Sequence, residues 1–345
     1  MNLFRLLLPI TALVLLGCGA NKDSVNYHSQ PEVNLSNILN EAMNDEQVDA
    51  VGVSLTVISP KLGIDFSGAA GYDGMDKERL LKANQPFRIA SLTKTFVAAA
   101  ILRLQEKNLL SIEDPISKYI SKEHMEILKK GGYDPDRISI RHCLMHTSGL
   151  FDYAEGNEDY IAQASKNPLK RWTRTEQIQF AMDHGGPMGM PGENYHYSDT
   201  GYVLLGEIIE KQTNLGLAEG LRSLLDFEKL GMDSTWLESL EDRPEGLPLS
   251  VKRYMGDVDA SGFDNSVDLY GGGGLSSTTR DLGIFLQALF NEEVYENSDT
   301  LEIMLLKADY NSKEQGLPDY RLGLGQIQSK RSNREAFMHS GFWGT

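Results

Sequence analysis

The sequence predicts an α/β (α+β) fold: an antiparallel sheet flanked by helices, with an all-helical subdomain inserted into it. Three observations predict it. Two apolar runs at 51–58 and 64–71 are joined by the turn signal Pro60-Lys61-Leu62-Gly63. Helical patterns cut by Gly/Pro loops fill residues 141 to about 260. Strand-like pieces return late, around and after a four-glycine run at 271–274. The chain has 345 residues, 41% of them apolar, enough to bury a large core without disulfide staples.

The elements follow in order. Residues 1–17 read as a secretory leader: Arg5 is its one charge, the apolar run 6–16 is too short to span a bilayer, and small residues follow. The segment Leu15-Leu16-Gly17-Cys18 resembles the lipobox of bacterial lipoproteins, which implies lipidation at Cys18. Gly19 rather than Asp follows that cysteine, so the resemblance implies the outer membrane, periplasm-facing, over the inner one. Residues 18–33 are polar and suit a tether.

Residues 34 to about 46 place Leu35, Ile38, Leu39 and Met43 at helical spacing. The run 51–58 alternates, with Val51, Val53, Leu55 and Val57 on one face, and 64–71 is its returning strand. Residues 90–110 are apolar almost all round at their centre and predict a long buried helix. A second such helix is expected at 200–212, and a third from Ser277-Thr278-Thr279-Arg280-Asp281 through Phe290. Sheet parts are thus expected at 34–110 and 265–345, and the helical part at 111–264. The second cysteine, Cys143, sits between apolar residues and reads as a buried, inert thiol.

Composition excludes several functions. The 49 acidic against 33 basic residues give a net charge of −16, which argues against nucleic acid as a partner. Two cysteines exclude a four-Cys metal site, and neither a His-Glu-x-x-His motif nor a Cys/His cluster is present. The glycine run lacks the Lys-Ser/Thr of a phosphate loop. No metal and no cofactor are expected.

The nucleophile candidate is Ser91, in Ser91-Leu92-Thr93-Lys94. The i, i+3 spacing puts Lys94 on the face of Ser91, and a serine at the start of a buried helix lies where free N–H groups favour negative charge. The pattern by itself arises easily by chance. With Thr95-Phe96 after it, however, it resembles the serine β-lactamase and penicillin-binding superfamily, in its class C-like branch with D-alanyl-D-alanine carboxypeptidases, esterases and D-aminopeptidases. Further stretches resemble that branch in the same order: residues 109–115, Leu144-Met145-His146-Thr147-Ser148-Gly149-Leu150, Pro191-Gly192-Glu193, Leu230-Gly231-Met232 and 271–281. The likeness runs from about residue 35 to the last one.

The resemblance implies a β-lactamase/transpeptidase-like fold and a serine hydrolase that works through an acyl-enzyme. In the place of the family's Tyr-x-Asn stands Tyr197-Ser198-Asp199, so Tyr197 is the implied proton carrier beside Lys94, and which of the two is the base stays open. Asp199 is a departure: an amide donates to a substrate carbonyl, whereas a carboxylate only accepts. Asp199 is expected to hold Lys94 charged or to bind a substrate amine. Tyr295-Glu296-Asn297 matches the motif literally but reads as a solvated loop, and His184-Gly185-Gly186 is out of order. His339-Ser340-Gly341-Phe342 resembles the closing His-x-Gly motif. It implies that His339 and Ser340 orient substrate, that Gly341 lets it approach the strand, and that the N–H groups of Ser91 and Phe342 form the oxyanion hole. The family continues with further strands and a C-terminal helix, so C-terminal strands are expected to be missing after Thr345. The expected partner is a small molecule or a peptidoglycan-type peptide, cleaved at an amide, ester or β-lactam carbonyl. The alternatives are an esterase on small esters and a non-catalytic penicillin-binding sensor or muropeptide-binding lipoprotein.

Overall fold

The computed structural model describes residues 31–48, 50–154, 157–308, 319–328 and 334–342. The leader, Cys18 and nearly all of the expected tether lie outside them. Helix α1 (Pro31–Asn44) starts three residues earlier than its spacing predicts, and a proline in the first helical position costs no hydrogen bond.

Strands β1 (Gly52–Ser59) and β2 (Ile64–Gly71) form an antiparallel pair, with Val57 opposite Phe66 and Leu55 opposite Gly68. The turn between them is a 3-10 turn at Pro60–Leu62 that ends on Gly63 at φ 64°, the left-handed conformation the sequence signal calls for. A side chain at Gly68 would run into Leu39 of α1, whereas one at Gly283 would meet Thr56 and Ile58. The pair is therefore covered on both faces, which is why none of the β1 residues is fully exposed.

The expected long helix at 90–110 is shorter and has a different start. Strand β3 (Phe87–Arg88) leads into a 3-10 turn at Ala90–Leu92, and helix α2 runs Thr93–Glu106. Ala90 has φ +46°, a conformation that costs a residue with a Cβ about 1–2 kcal/mol, so the chain enters the helix through a bend. Asn108 at φ +55° stops the helix at the other end. Every residue from Thr93 to Leu104 is buried. Phe96 stacks on Phe285 with centroids 3.9 Å apart and meets Phe227 edge-on at 5.8 Å.

The insert holds helices α3 (Lys122–Lys130), α4 (Ile140–Leu144), α5 (Glu158–Lys166), α6 (Arg174–His184), α7 (Asp199–Thr213), α8 (Leu217–Leu225) and α9 (Phe227–Leu230). It is not all helical, as the sequence suggested. Strand β4 (Trp236–Leu237) and the hairpin β5 (Tyr254–Met255) and β6 (Val258–Asp259) lie within it, and two-residue strands leave no period to read. Beyond it come β7 (Leu275–Ser277), α10 (Thr279–Phe290), α11 (Asp299–Met304), β8 (Asp319–Tyr320), β9 (Gly325–Gln328) and β10 (Glu335–Met338). Among the described residues all pairing is antiparallel: β1-β2, β3-β7-β4, β5-β6 and β10-β9-β8.

Two placements prepare the site. Helix α7 is buried from Asp199 to Ile209 and packs on α2 and α8. The glycine run is pressed onto it: a Cβ at Gly206 would overlap the Tyr270 carbonyl, and one at Gly271, where φ is +122°, would overlap the Tyr202 carbonyl. Only glycine permits that approach.

Candidate active site

Ser91 stands on the 3-10 turn just ahead of α2, half-buried, and Lys94 one turn later is fully buried. The Nζ of Lys94 lies 2.9 Å from Ser91 Oγ, donates to the Gly272 carbonyl at 2.6 Å, and forms an ion pair with Asp199 Oδ1. An ammonium has three donors, and three acceptors meet it here. A neutral amine would serve the same places, with two donors for Gly272 and Asp199 and a lone pair for the Ser91 hydroxyl. The rings of Tyr197 and Tyr202 flank the nitrogen at 4.9 and 5.5 Å. The glycine run thus supplies a backbone ligand that a side chain would have displaced.

Tyr197 reaches the same serine from the other side. Its hydroxyl donates to Ser91 Oγ at 2.8 Å. The residue lies just before α7, whose first residue is Asp199, so one chain turn presents both the phenol and the carboxylate to Lys94. The sequence reading of Tyr197, Lys94, Ser91 and Asp199 as one cluster is what the structure brings together.

The third motif also arrives at this point. A Cβ on Gly341 would overlap the Ile89 carbonyl, so the segment after β10 runs directly against the backbone that leads to Ser91. His339 Nε2 lies 2.8 Å from the Tyr320 hydroxyl, and its Nδ1 lies 2.6 Å from the Ser340 carbonyl. Loss of water and the Lys94 charge push the His339 pKa down to about 3, so the ring is neutral. Ser340 and Phe342 are exposed at the rim, Phe342 to 64%.

Sequence reasoning missed several neighbours. His146 is buried and stacks on Tyr197, and Tyr320 tilts against it at 4.7 Å. The sequence marks the stretch around His146 only by resemblance, and no spacing links it to Tyr197. Asp152 and Asp268 complete an acidic neighbourhood. Burial, together with the Asp199 charge, drives the Asp152 pKa well up, and burial raises that of Asp268 against the pull of Arg88. The two neighbours of Asp199 are thus pushed toward their protonated forms.

The two motif matches set aside from the sequence fall elsewhere. His184 ends α6 and stacks on Phe180. Tyr295 corrects the expectation of a solvated loop: it is buried and its hydroxyl points at Met304 Sδ, while Glu296 and Asn297 are exposed and Glu296 pairs with Arg103. Cys143 is buried, and desolvation lifts its thiol pKa to about 12. Among the described residues no cluster of three or more His, Cys, Asp or Glu could hold a metal, and no helix is long and apolar enough to cross a membrane.

With this geometry in place, the likeness to known proteins is informative. The family model described as Beta-lactamase matches residues 41–345. The chain is 28% identical over 311 residues to penicillin-binding protein 4* of Bacillus subtilis, covering 84% of this chain and 62% of that protein. It therefore spans about six-tenths of that relative's length. The solved D-amino acid amidase of Ochrobactrum anthropi SV3, complexed with L-phenylalanine amide, has a TM-score of 0.72 at 27% identity, over 89% of this chain and 83% of that one. The D-stereospecific amidohydrolase of a Streptomyces species shares the fold with a TM-score of 0.76 at 24% identity, over 91% and 88%. Fold, motif order and family match agree that this chain belongs to the beta-lactamase family of serine hydrolases, with penicillin-binding and amidase relatives.

Proposed function

We propose that the protein is a serine hydrolase that cleaves a small amide through an acyl-enzyme on Ser91, with the amide of a D-amino acid or a short D-peptide as substrate class. The observation that carries this reading is the convergence of Lys94 Nζ and Tyr197 OH on one oxygen, Ser91 Oγ, at 2.9 and 2.8 Å. Ser91 Oγ attacks the carbonyl carbon, and its proton passes to the Lys94–Tyr197 pair. The tetrahedral oxyanion rests on the N–H groups of Ser91 and Phe342, a pairing supported by the close packing of Gly341 on Ile89. The C–N bond breaks as the pair returns the proton to the leaving nitrogen. Water then attacks the Ser91 ester, the pair takes its proton, and Ser91 is released with its hydroxyl restored. His339 and Ser340 orient the substrate at the rim. The amidase relative at 27% identity supports the choice of an amide.

A second reading draws on the ion pair of Lys94 with Asp199. A lysine held as an ammonium is a poor base, which suits a protein that acylates and then stays acylated, a β-lactam or muropeptide sensor. An intact-mass experiment separates the two. Incubation with D-phenylalanine amide, a short p-nitrophenyl ester and nitrocefin should give turnover of the amide with only transient added mass on Ser91. A permanent adduct without turnover supports the sensor, and turnover of the ester alone supports an esterase.

The leader supports a location as well: a lipid anchor at Cys18, facing the periplasm from the outer membrane. Radiolabelled palmitate should enter the intact protein and fail to enter Cys18→Ser; equal labelling removes the proposal.

A further inference from the structure

We infer that His146 is a positioning residue for Tyr197: it grips the chain on both sides of that tyrosine and one face of its ring, and so fixes the phenol over Ser91. The inference rests on the reading of Ser91 and Tyr197 given above.

Three contacts carry it. The His146 carbonyl accepts the N–H of His196 at 2.7 Å, one residue before Tyr197. The Nδ1 of its ring accepts the N–H of Ser198 at 3.1 Å, one residue after it. The ring itself stacks on the Tyr197 ring with centroids 4.1 Å apart and planes 28° apart. Ser198, the residue that caps α7, makes no side-chain cap of its own, and the His146 ring accepts that residue's own N–H, one of the donors left open at a helix start. His146 reaches these groups from just beyond the short helix α4, with φ at +55°, a conformation uncommon for a side-chain-bearing residue and found at functional turns. The residue is 1% exposed, so the grip is an internal one.

The chemistry of the ring fits the task. Nδ1 can accept an N–H only while it carries no proton, which puts the hydrogen of the neutral ring on Nε2. Burial, and then the charge of Lys94, hold the His146 pKa well below the ordinary histidine value, so the acceptor persists through the neutral range. Nε2 is buried and meets no hydrogen-bond partner among the described residues. The ring therefore acts through Nδ1 and its face. Among the described residues the ring makes no hydrogen bond to Ser91, so its effect passes through the phenol. A tyrosine released by even an ångström would lose its alignment with Ser91 Oγ, a displacement that costs about a hundredfold in rate.

The test is a double-mutant cycle in the full chain, followed with a short p-nitrophenyl ester and with D-phenylalanine amide. His146→Phe keeps a stacking ring and loses the acceptor; His146→Asn keeps an acceptor at Oδ1 and loses the ring. Each should lower kcat, His146→Phe by about a hundredfold, with KM moved less than about twofold. In a Tyr197→Phe background the same His146 substitutions should lower kcat by less than about twofold further, because the group they position is already gone. If the two effects multiply instead, His146 serves the fold and the inference is overturned. Should His146→Phe fail to fold by circular dichroism, the cycle with His146→Asn decides. If Tyr197→Phe and Ser91→Ala both turn over at the wild-type rate, the reading of the site has failed; if they are crippled and the effects multiply, the His146 inference alone has.

Discussion

Asp199 and Glu207 stand about two turns apart on helix α7, both buried and both facing a cation. Glu207 is saturated. It accepts the N–H of Ser121 at 2.8 Å, meets His124 Nδ1 at 2.6 Å and takes Lys211 at 3.3 Å, while His124 Nε2 lies 3.0 Å from Thr175 Oγ1. These bonds tie α3 and α6 to α7. Asp199, at the helix start, meets Lys94, which also touches Ser91. Burial disfavours the charge of Glu207, but His124, the Ser121 N–H and Lys211 outweigh it and hold its pKa below the usual range. The difference is one of neighbourhood: a buried carboxylate whose partners are all spent on one another is a strut, and one whose partner touches the proposed nucleophile sets the charge beside it.

Four experiments press on this contrast. The largest effect belongs to the hydroxyl itself. Ser91→Ala should lower turnover and fluorophosphonate labelling by about a thousandfold or more, with a Tm within about 2 °C of wild type. Labelling at the normal rate would move the nucleophile elsewhere. Next comes the strut. Glu207→Ala leaves His124 and the Ser121 N–H without their acceptor and should cost about 3–5 kcal/mol in urea unfolding. Its kcat, per folded molecule, should stay within about twofold of wild type; a larger fall would make Glu207 part of the site.

Asp199→Asn should act in the opposite sense, on preference more than on stability. The amide restores a donor for an acyl-amide carbonyl and removes the anion beside Lys94. kcat/KM on nitrocefin should rise about tenfold, equivalent to about 1.4 kcal/mol, while a short ester changes less. A fall on both substrates would place the carboxylate among the groups that do the reaction. The smallest effect is the pH dependence of the strut. A carboxylate with a depressed folded pKa stabilises above its unfolded value, about 4.3, and this is lost as pH falls through the folded value. The Tm gap between wild type and Glu207→Gln should therefore be open at pH 6 and narrow steadily from about pH 4.3 downward. A gap that widens in acid would reverse the sign of the argument.

Much of this was legible in the sequence where one physical rule acts alone. The alternating pair β1–β2 and its Gly63 turn follow from periodicity and backbone freedom, and the run from Thr93 to Leu104 announces its burial by composition. Legibility fails where neighbours in the chain part company. Tyr295 faces the core while Glu296 faces water, and the acidic surroundings of the pair concealed the buried ring. Ser91 was placed on the first turn of a helix; the left-handed bend at Ala90 puts it on a separate 3-10 turn, and an alanine gives no sign of such a bend. In the site, the Ser91–Lys94 spacing and the Tyr197–Asp199 stretch could be read, since each is local. The grip of His146 and the pairing of Tyr320 with His339 join residues that only the fold brings near, and a buried histidine carries no periodic signature.

The glycine run also governs how such a chain can change over generations. A side chain at Gly272 would meet the Asp199 carboxylate at 2.9 Å, and one at Gly273 would overlap that of Asp268. The Gly272 carbonyl that holds Lys94 is thus shut to variation, and being backbone it can never alter its charge. Position 199 is under no such restriction, since Asp and Asn have nearly the same shape. Their codons differ by a single base. The charge set against Lys94 therefore lies one nucleotide away from neutrality, while the two glycines beside it are sterically fixed.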